Sequence, residues 1–340
     1  MSIESENKSL RSGLSRMRIL IPSLLGIGVI FYLFFDDFKE VGDLQWSWKS
    51  VVAILAAATL VIIRELAYTV RIKTLAMGKL SWRSSLNSVL LWEFASSITP
   101  TVVGGSAFAI LILKREGLSV GRSIATVLVT AVMDELFYVI AVPLVVIFVG
   151  IDAFFPDFTG VQTLFYSGYI LTCVISVIIL SALFVSPVKT RSVVMRIFKL
   201  PLLNKLHSRV ELWTSDWVVA SDILKGAPKR VWIISGGATI VSWSARFLTL
   251  NAVLYAFLDI VPNGDVIARQ LAMWIVLLLS PTPGASGIAE GAMPLFIEPL
   301  VCLGTFGIVV LLWRFLTYFI YLIIGAVILP GWLARSADKK

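Results

Sequence analysis

Side chains that do chemistry are scarce here. The sequence holds one histidine and two cysteines in 340 residues, and 15% of its residues are charged. That scarcity excludes several classes of function. No metal-ligand cluster, Ser-His pair or nucleotide-binding loop is present, so neither a metal nor a cofactor is expected. The tripeptide Val103–Gly105 lacks the strand–helix setting of a dinucleotide fingerprint. Cys173 and Cys302 fall within apolar segments and read as buried, inert thiols. A soluble chain would carry roughly a quarter charged residues, so a water-soluble globule is excluded as well.

What is present is hydrocarbon. Hydrophobic residues make up 58% of the chain and the mean hydropathy is +0.91. Several stretches reach the roughly 20 residues that cross a hydrocarbon core about 30 Å thick. The composition specifies an all-α polytopic membrane protein, read as a single membrane domain over 1–340. The net charge is +8, but the basic residues lie between apolar segments, so no nucleic-acid partner is expected.

Six segments are long enough to cross, at about 17–35, 50–70, 122–150, 163–186, 231–258 and 302–328. The first has basic flanks and no small-residue cleavage site, so it reads as a retained span. Basic residues cluster before it (Lys8, Arg11, Arg16, Arg18), after the second span (Arg71, Lys73, Lys79, Arg83) and through 188–230. The intervening connections carry Asp36, Asp37, Asp152 and Asp157 instead. The positive-inside rule then puts both termini in the cytoplasm, in the cell's inner or plasma membrane. The segment 188–230, with the single histidine His207, reads as amphipathic helices on the anionic cytoplasmic leaflet.

Two apolar segments do not fit that count. "SITPTVVGG" at 97–105 and "SPTPGASG" at 280–287 both read S-x-T-P-x-x-x-G and interrupt hydrophobic sequence. The arms around the first, about 84–98 and 101–113, are each too short to cross, and both outer flanks are basic. Re-entrant helical hairpins satisfy these facts, the first entering from the cytoplasm and the second, over 267–299, from outside. Proline stops a helix by removing an N–H, and glycine tolerates the reversed backbone. Irregular backbone at membrane depth survives only inside protein or beside a wet cavity, so the two tips are expected to face one polar cavity.

The halves, about 17–150 and 163–328, also match one another. Pro100 falls on Pro283 and Gly104 on Gly287 at a single offset, and Arg64 falls on Arg246 within one residue of it. The spans holding those arginines run in opposite directions. Paired Pro/Gly-broken segments in two such halves point to an inverted-repeat transporter with its site at the breaks.

An ionisable residue deep in a bilayer costs about 2.5–3.5 kcal/mol and so faces an interior or a cavity. Arg246 and Arg314 lie near mid-span; Arg64 lies nearer the cytoplasmic side, where snorkelling also accounts for it. Glu93, Asp134, Glu135 and Glu290 are the internal acids. Two readings stand. Either arginines and acids neutralise each other, for instance Arg246 with Glu290, or the arginines bind an anionic headgroup while an acid carries a proton. Free N–H groups of helices starting after the breaks would help hold a phosphate. The candidate binding residues are Arg64, Arg246, Arg314, Thr99, Pro100, Gly104, Gly105, Ser280, Thr282, Pro283, Gly284 and Gly287; the candidate relay is Glu93, Asp134, Glu135 and Glu290.

"SITPTVVGGSAFAILILKREGLSVGRSIA" and "SPTPGASGIAEGAMPLF" resemble the lysylphosphatidylglycerol synthase transmembrane-region family, also called flippase-like integral membrane proteins. The second stretch is similar to the family's P-G-G-x-G-x-x-E pattern, carried here by Pro283, Gly284, Gly287 and Glu290. In the best-known relatives this membrane domain moves an aminoacylated phospholipid between leaflets, and a separate soluble domain makes it. Little beyond 335–340 follows the last span, so lysyl-lipid synthesis is not implied. Ala285 stands where the pattern has a glycine, a small-for-small change expected to allow the turn. Ser106 and Ala107 stand where many relatives carry a glutamate, a place Glu93 is expected to take over.

The leading expectation is a flippase-like transporter of an anionic phospholipid or polyprenyl-phosphate-linked lipid, with membrane lipids as its partners. Two others stay open: a membrane-embedded lipid phosphatase built around Ser286, and a non-transporting partner of a lipid-modifying enzyme. Self-association into a homo-oligomer is open too.

Overall fold

A computed structural model describes residues 24, 27–33, 35, 47–99, 101–156, 160–199, 210, 211, 214, 221–278, 280–301 and 306–335. Among the described residues every regular element is helical and none is a strand. Five helices are long and apolar enough to cross a membrane, over Trp48–Leu75, Val120–Val149, Val161–Val185, Lys229–Tyr255 and Phe306–Ala334. They coincide with five of the six expected spans. The first expected span, 17–35, falls largely outside the described residues, as do His207, Cys302 and most of 200–220.

Serines set the starts of three helices in the first half. α1 (Trp48–Leu75), α2 (Trp82–Ile98) and α4 (Val120–Val149) follow Ser47, Ser81 and Ser119. Each hydroxyl accepts from the backbone N–H three residues on, at Ser50, Ser84 and Arg122, satisfying a donor that the first helical turn leaves free. α2 ends where Thr99 takes up extended backbone (ψ 136°), and α3 (Thr101–Arg115) starts afresh beyond Pro100, which lies outside the described residues. α5 (Val161–Leu180) runs through a π turn at Ser181–Val185, and α6 (Pro187–Ile197) follows it.

The second half repeats this order. α7 (Lys229–Tyr255) is long, like α1. α8 (Asn263–Leu277) and α9 (Ile288–Phe296) are short and flank the second motif, whose Pro283–Ala285 forms one 3-10 turn. After the short α10 (Glu298–Val301), a long helix begins as α11 (Phe306–Arg314), passes through a π turn at Phe315–Phe319, and ends as α12 (Ile320–Arg335). At 1.5 Å per residue, α2, α3, α8 and α9 reach only roughly 14–25 Å, short of the hydrocarbon thickness.

The most extensive helix contact joins α1 to α7, the two arginine-bearing counterparts. They run antiparallel. Ser50 at the start of α1 donates to the Ala256 carbonyl at the end of α7 (2.7 Å), whereas Arg71 near the end of α1 reaches Thr239 early in α7 (3.0 Å). Beyond the first contact, the exposed Lys49 pairs with Asp259 and holds that carboxyl below its usual range. Around this pair a core of Phe247, Leu250, Val253, Leu271, Met273, Trp313 and Tyr321 packs the second half together. The outward faces of the long helices expose Leu55, Ile62, Phe148, Val177, Ile233 and Val327, an apolar surface suited to lipid.

Candidate functional site

The two motifs meet. Gly284 of the second has φ +56°, and a Cβ placed on it would sit 2.3 Å from the Tyr318 ring and 3.3 Å from the Ser97 carbonyl of the first. Only glycine allows both that backbone and that approach. The Tyr318 hydroxyl donates to the Ser97 carbonyl (3.2 Å) and accepts from Ser286 (3.0 Å), joining both breaks at one atom. Tyr318 sits in the π turn, whose extra residue redirects side chains and is common at functional sites. The Ser286 hydroxyl is fully buried in this bond. Gly105 is equally tight, since a Cβ there would lie 2.3 Å from Ser96 Oγ, so α2 and α3 are in close contact.

Ala285 adopts φ +53°, the left-handed region that an L side chain rarely occupies. The alanine thus forms the turn, as expected of a small residue, but holds it at a cost in strain that glycine would not carry.

Behind the breaks lies a cavity of about 320 Å³. Ser97, Thr99, Ser280, Thr282, Gly284 and Ala285 line it at the motifs; Arg71, Arg246, Arg314, Glu93, Asp134 and Glu135 supply its charge; Tyr68, Tyr138, Trp243, Trp274 and Tyr318 supply its rings. The expected shared polar cavity is thus present, but its charges are not connected as the sequence suggested.

Glu290 pairs with Arg314 (Oε1 to Nε, 2.7 Å), not with Arg246. It sits at the start of α9, and the arginine facing it is the one α11 delivers at its own end. Its other oxygen accepts the Gly287 N–H (2.7 Å), so that helix start already holds an anion of the protein's own. At this terminus the Gly287 N–H is therefore taken by the protein's own carboxylate. Glu290 itself is fully buried behind Arg314. Pro283 and Gly287 shape the turn, and Gly104 lies in the first turn of α3.

Arg64 does not line the cavity. It is buried behind it, donating to Glu65 (2.8 Å), Tyr321 (2.5 Å) and Glu93 (2.6 Å), while Tyr321 also donates to Glu65 (2.8 Å). Arg71, read from the sequence as a cytoplasmic flank, lies within α1 and is 1% exposed. It grips Asp134 with both terminal nitrogens (2.6 and 3.2 Å), and Trp243 Nε1 donates to the same carboxylate (2.7 Å). Arg64, Tyr68 and Arg71 stand at i, i+4 and i+7, one face of a helix; that spacing was the signal that Arg71 belongs inside.

Of the charged side chains lining the cavity, two have no ion-pair partner among the described residues. The Arg246 guanidinium lies 4.0 Å from the centroid of the Trp274 ring and 5.2 Å from that of Trp243, and its buried Nε has no hydrogen-bond acceptor. Indole faces attract a cation but leave its N–H groups unsatisfied. Glu135 also lines the cavity, and its buried Oε2 has no donor.

A family model described as "Lysylphosphatidylglycerol synthase TM region" matches residues 19–325. A UPF0104 membrane protein of Archaeoglobus fulgidus is 26% identical over 336 residues, covering 94% of this chain and 99% of its own length. No solved structure matches.

Proposed function

Because the chain belongs to the lysylphosphatidylglycerol synthase transmembrane-region family, we propose that this integral membrane protein moves an anionic lipid headgroup between leaflets. The observation that carries the proposal is Arg246. Its charge is held in a cavity between two indole rings, with no carboxylate in ion-pair contact among the described residues, a site open to an anion. A lipid phosphate, free or polyprenyl-linked, supplies that charge together with acceptors for the unsatisfied N–H groups. Arg314 and the hydroxyls of Ser97, Thr99, Ser280 and Thr282 stand around the same space and complete a polar lining, while acyl chains stay in lipid.

The helix pairs α2–α3 and α8–α9 act as hairpins dipping from opposite leaflets. Their short lengths and the antiparallel α1–α7 pair support that reading, since inverted repeats place counterpart helices head to tail. With the sixth span at 17–35, both termini lie in the cytoplasm. Rocking of one half against the other then opens the cavity to each leaflet in turn. The basic segment 188–230 offers a docking surface to a lipid-modifying enzyme.

Reconstitution into vesicles with labelled phosphatidylglycerol or polyprenyl phosphate tests this. The wild-type protein is expected to accelerate leaflet exchange, and Arg246→Ala to slow that exchange by about 10- to 100-fold, the loss of about one charge-assisted contact. Exchange at the empty-vesicle rate for both lipids sinks the proposal.

A further inference from the structure

We infer that Glu135 is a proton site loaded when an anion docks at Arg246, so that anion and proton occupy the cavity together. The inference rests on the anion-site reading above and extends it to the ion that accompanies the lipid.

Charge matching singles Glu135 out. Arg71 is matched by Asp134 and Arg314 by Glu290. Arg64 has two carboxylates, Glu65 and Glu93, so that group carries one negative charge in excess. Arg246 and Glu135 stand apart, one of each sign. With every carboxylate ionised, the set is already one charge negative before a ligand arrives, and an anion on Arg246 adds another. Charges of one sign collected in a poorly polar interior repel strongly, and a proton on one carboxylate removes the excess.

The other four acids are poor places for that proton. Protonating Asp134 or Glu290 would orphan Arg71 or Arg314. Protonating Glu65 or Glu93 would leave Arg64 its other carboxylate but break a bond of 2.8 or 2.6 Å from it, and Glu65 does not line the cavity. Glu135 can gain a proton without orphaning any arginine. It also borders the cavity, so water carries the proton in and no co-reactant is needed.

The groups facing this space come from every helix packed on α4. Its own Asp134 and Tyr138 flank Glu135. α1 contributes Tyr68 and Arg71, α2 Glu93, α7 Arg246, and α11 with its π turn Arg314 and Tyr318. α3 and α8 bring Ser106 and Trp274, which do not titrate; α5 packs behind, with Tyr169 bonded to the Val139 carbonyl.

Calorimetric titration of the full-length protein with short-chain phosphatidylglycerol, and separately with dimethyl phosphate, both diesters that stay monoanionic across neutral pH, reads this directly. Running each in two buffers of different ionisation enthalpy counts the protons. Uptake approaching one proton per anion is expected over some interval between about pH 5 and 9, with affinity falling about tenfold per pH unit there. Glu135→Gln should bind with a pH-independent affinity equal to the wild-type value at low pH, and take up none.

Binding without proton uptake at any pH overturns the inference, as does uptake that persists in Glu135→Gln or binding lost when sodium is replaced by choline. The wild-type count stands even if the variant does not fold. No binding by the wild type, or binding unchanged in Arg246→Ala, overturns the anion-site reading itself. Binding lost in Arg246→Ala with no proton count defeats only the Glu135 inference.

Discussion

At the scale of single residues, the cavity separates side chains that hold other side chains from those left over. Asp134 holds Arg71 through two contacts at 2.6 and 3.2 Å. Removing one partner of a buried pair leaves the other charged and unmatched, so Asp134→Asn should destabilise by about 3–5 kcal/mol. Combining it with Arg71→Met should recover much of that loss; thermal unfolding in detergent measures both. Ala285 offers the opposite case. Its φ of +53° makes Ala285→Gly stabilising by about 1 kcal/mol and Ala285→Val destabilising by more, read in the same unfolding assay.

The candidate residues were legible as types, because a charge inside an apolar run is visible in any sequence. Their partners were not. Whether Glu290 meets Arg246 or Arg314 depends on which helix end arrives beside α9, and no local spacing encodes that. The rings around Arg246 were hidden for the same reason, being ordinary tryptophans until two helices bring them together.

Elements carry a different part of the information. The long helices and the four short arms were readable because apolar length is a local property, and the breaks because Pro and Gly act where they stand. The π turn at Phe315–Phe319 was not, since nothing in "FLTYF" distinguishes it from continuing α-helix. Yet it positions Tyr318 across both motifs. Tyr318→Phe deletes the hydroxyl that bonds Ser97 and Ser286 and leaves two buried groups unsatisfied. A loss of about 2–4 kcal/mol is expected, with faster hydrogen exchange at 95–99 and 283–287 as its local signature. Gly105→Leu should push α2 from α3 and abolish folding rather than tune it.

For the whole molecule, the antiparallel packing of α1 on α7 joins the halves along their counterpart helices. The exposed Lys49–Asp259 pair closes one end of that seam. Lys49 lowers the Asp259 pKa, so any stabilisation is present above the ordinary carboxylate range and lost as pH falls through the lowered value. Exposure screens it, and Lys49→Ala should leave the melting temperature at neutral pH unchanged. The buried seam is another matter: a bulky residue at Ser50, which is 4% exposed and bonded to Ala256, should separate the helices and lower exchange activity and stability together.

The stacking of Trp274 and Trp243 on Arg246 has an optical consequence. A cation 4.0 Å from the centre of an indole ring perturbs its electronic transitions, and an anion arriving on that cation changes the perturbation. Occupancy of the cavity should therefore register in near-ultraviolet circular dichroism and in indole emission, without any added dye. With 11 tryptophans in the chain, the difference between the intact protein and Trp274→Phe isolates the reporting ring. The protein thus carries its own gauge of ligand at the cavity arginine that has no ion-pair partner among the described residues.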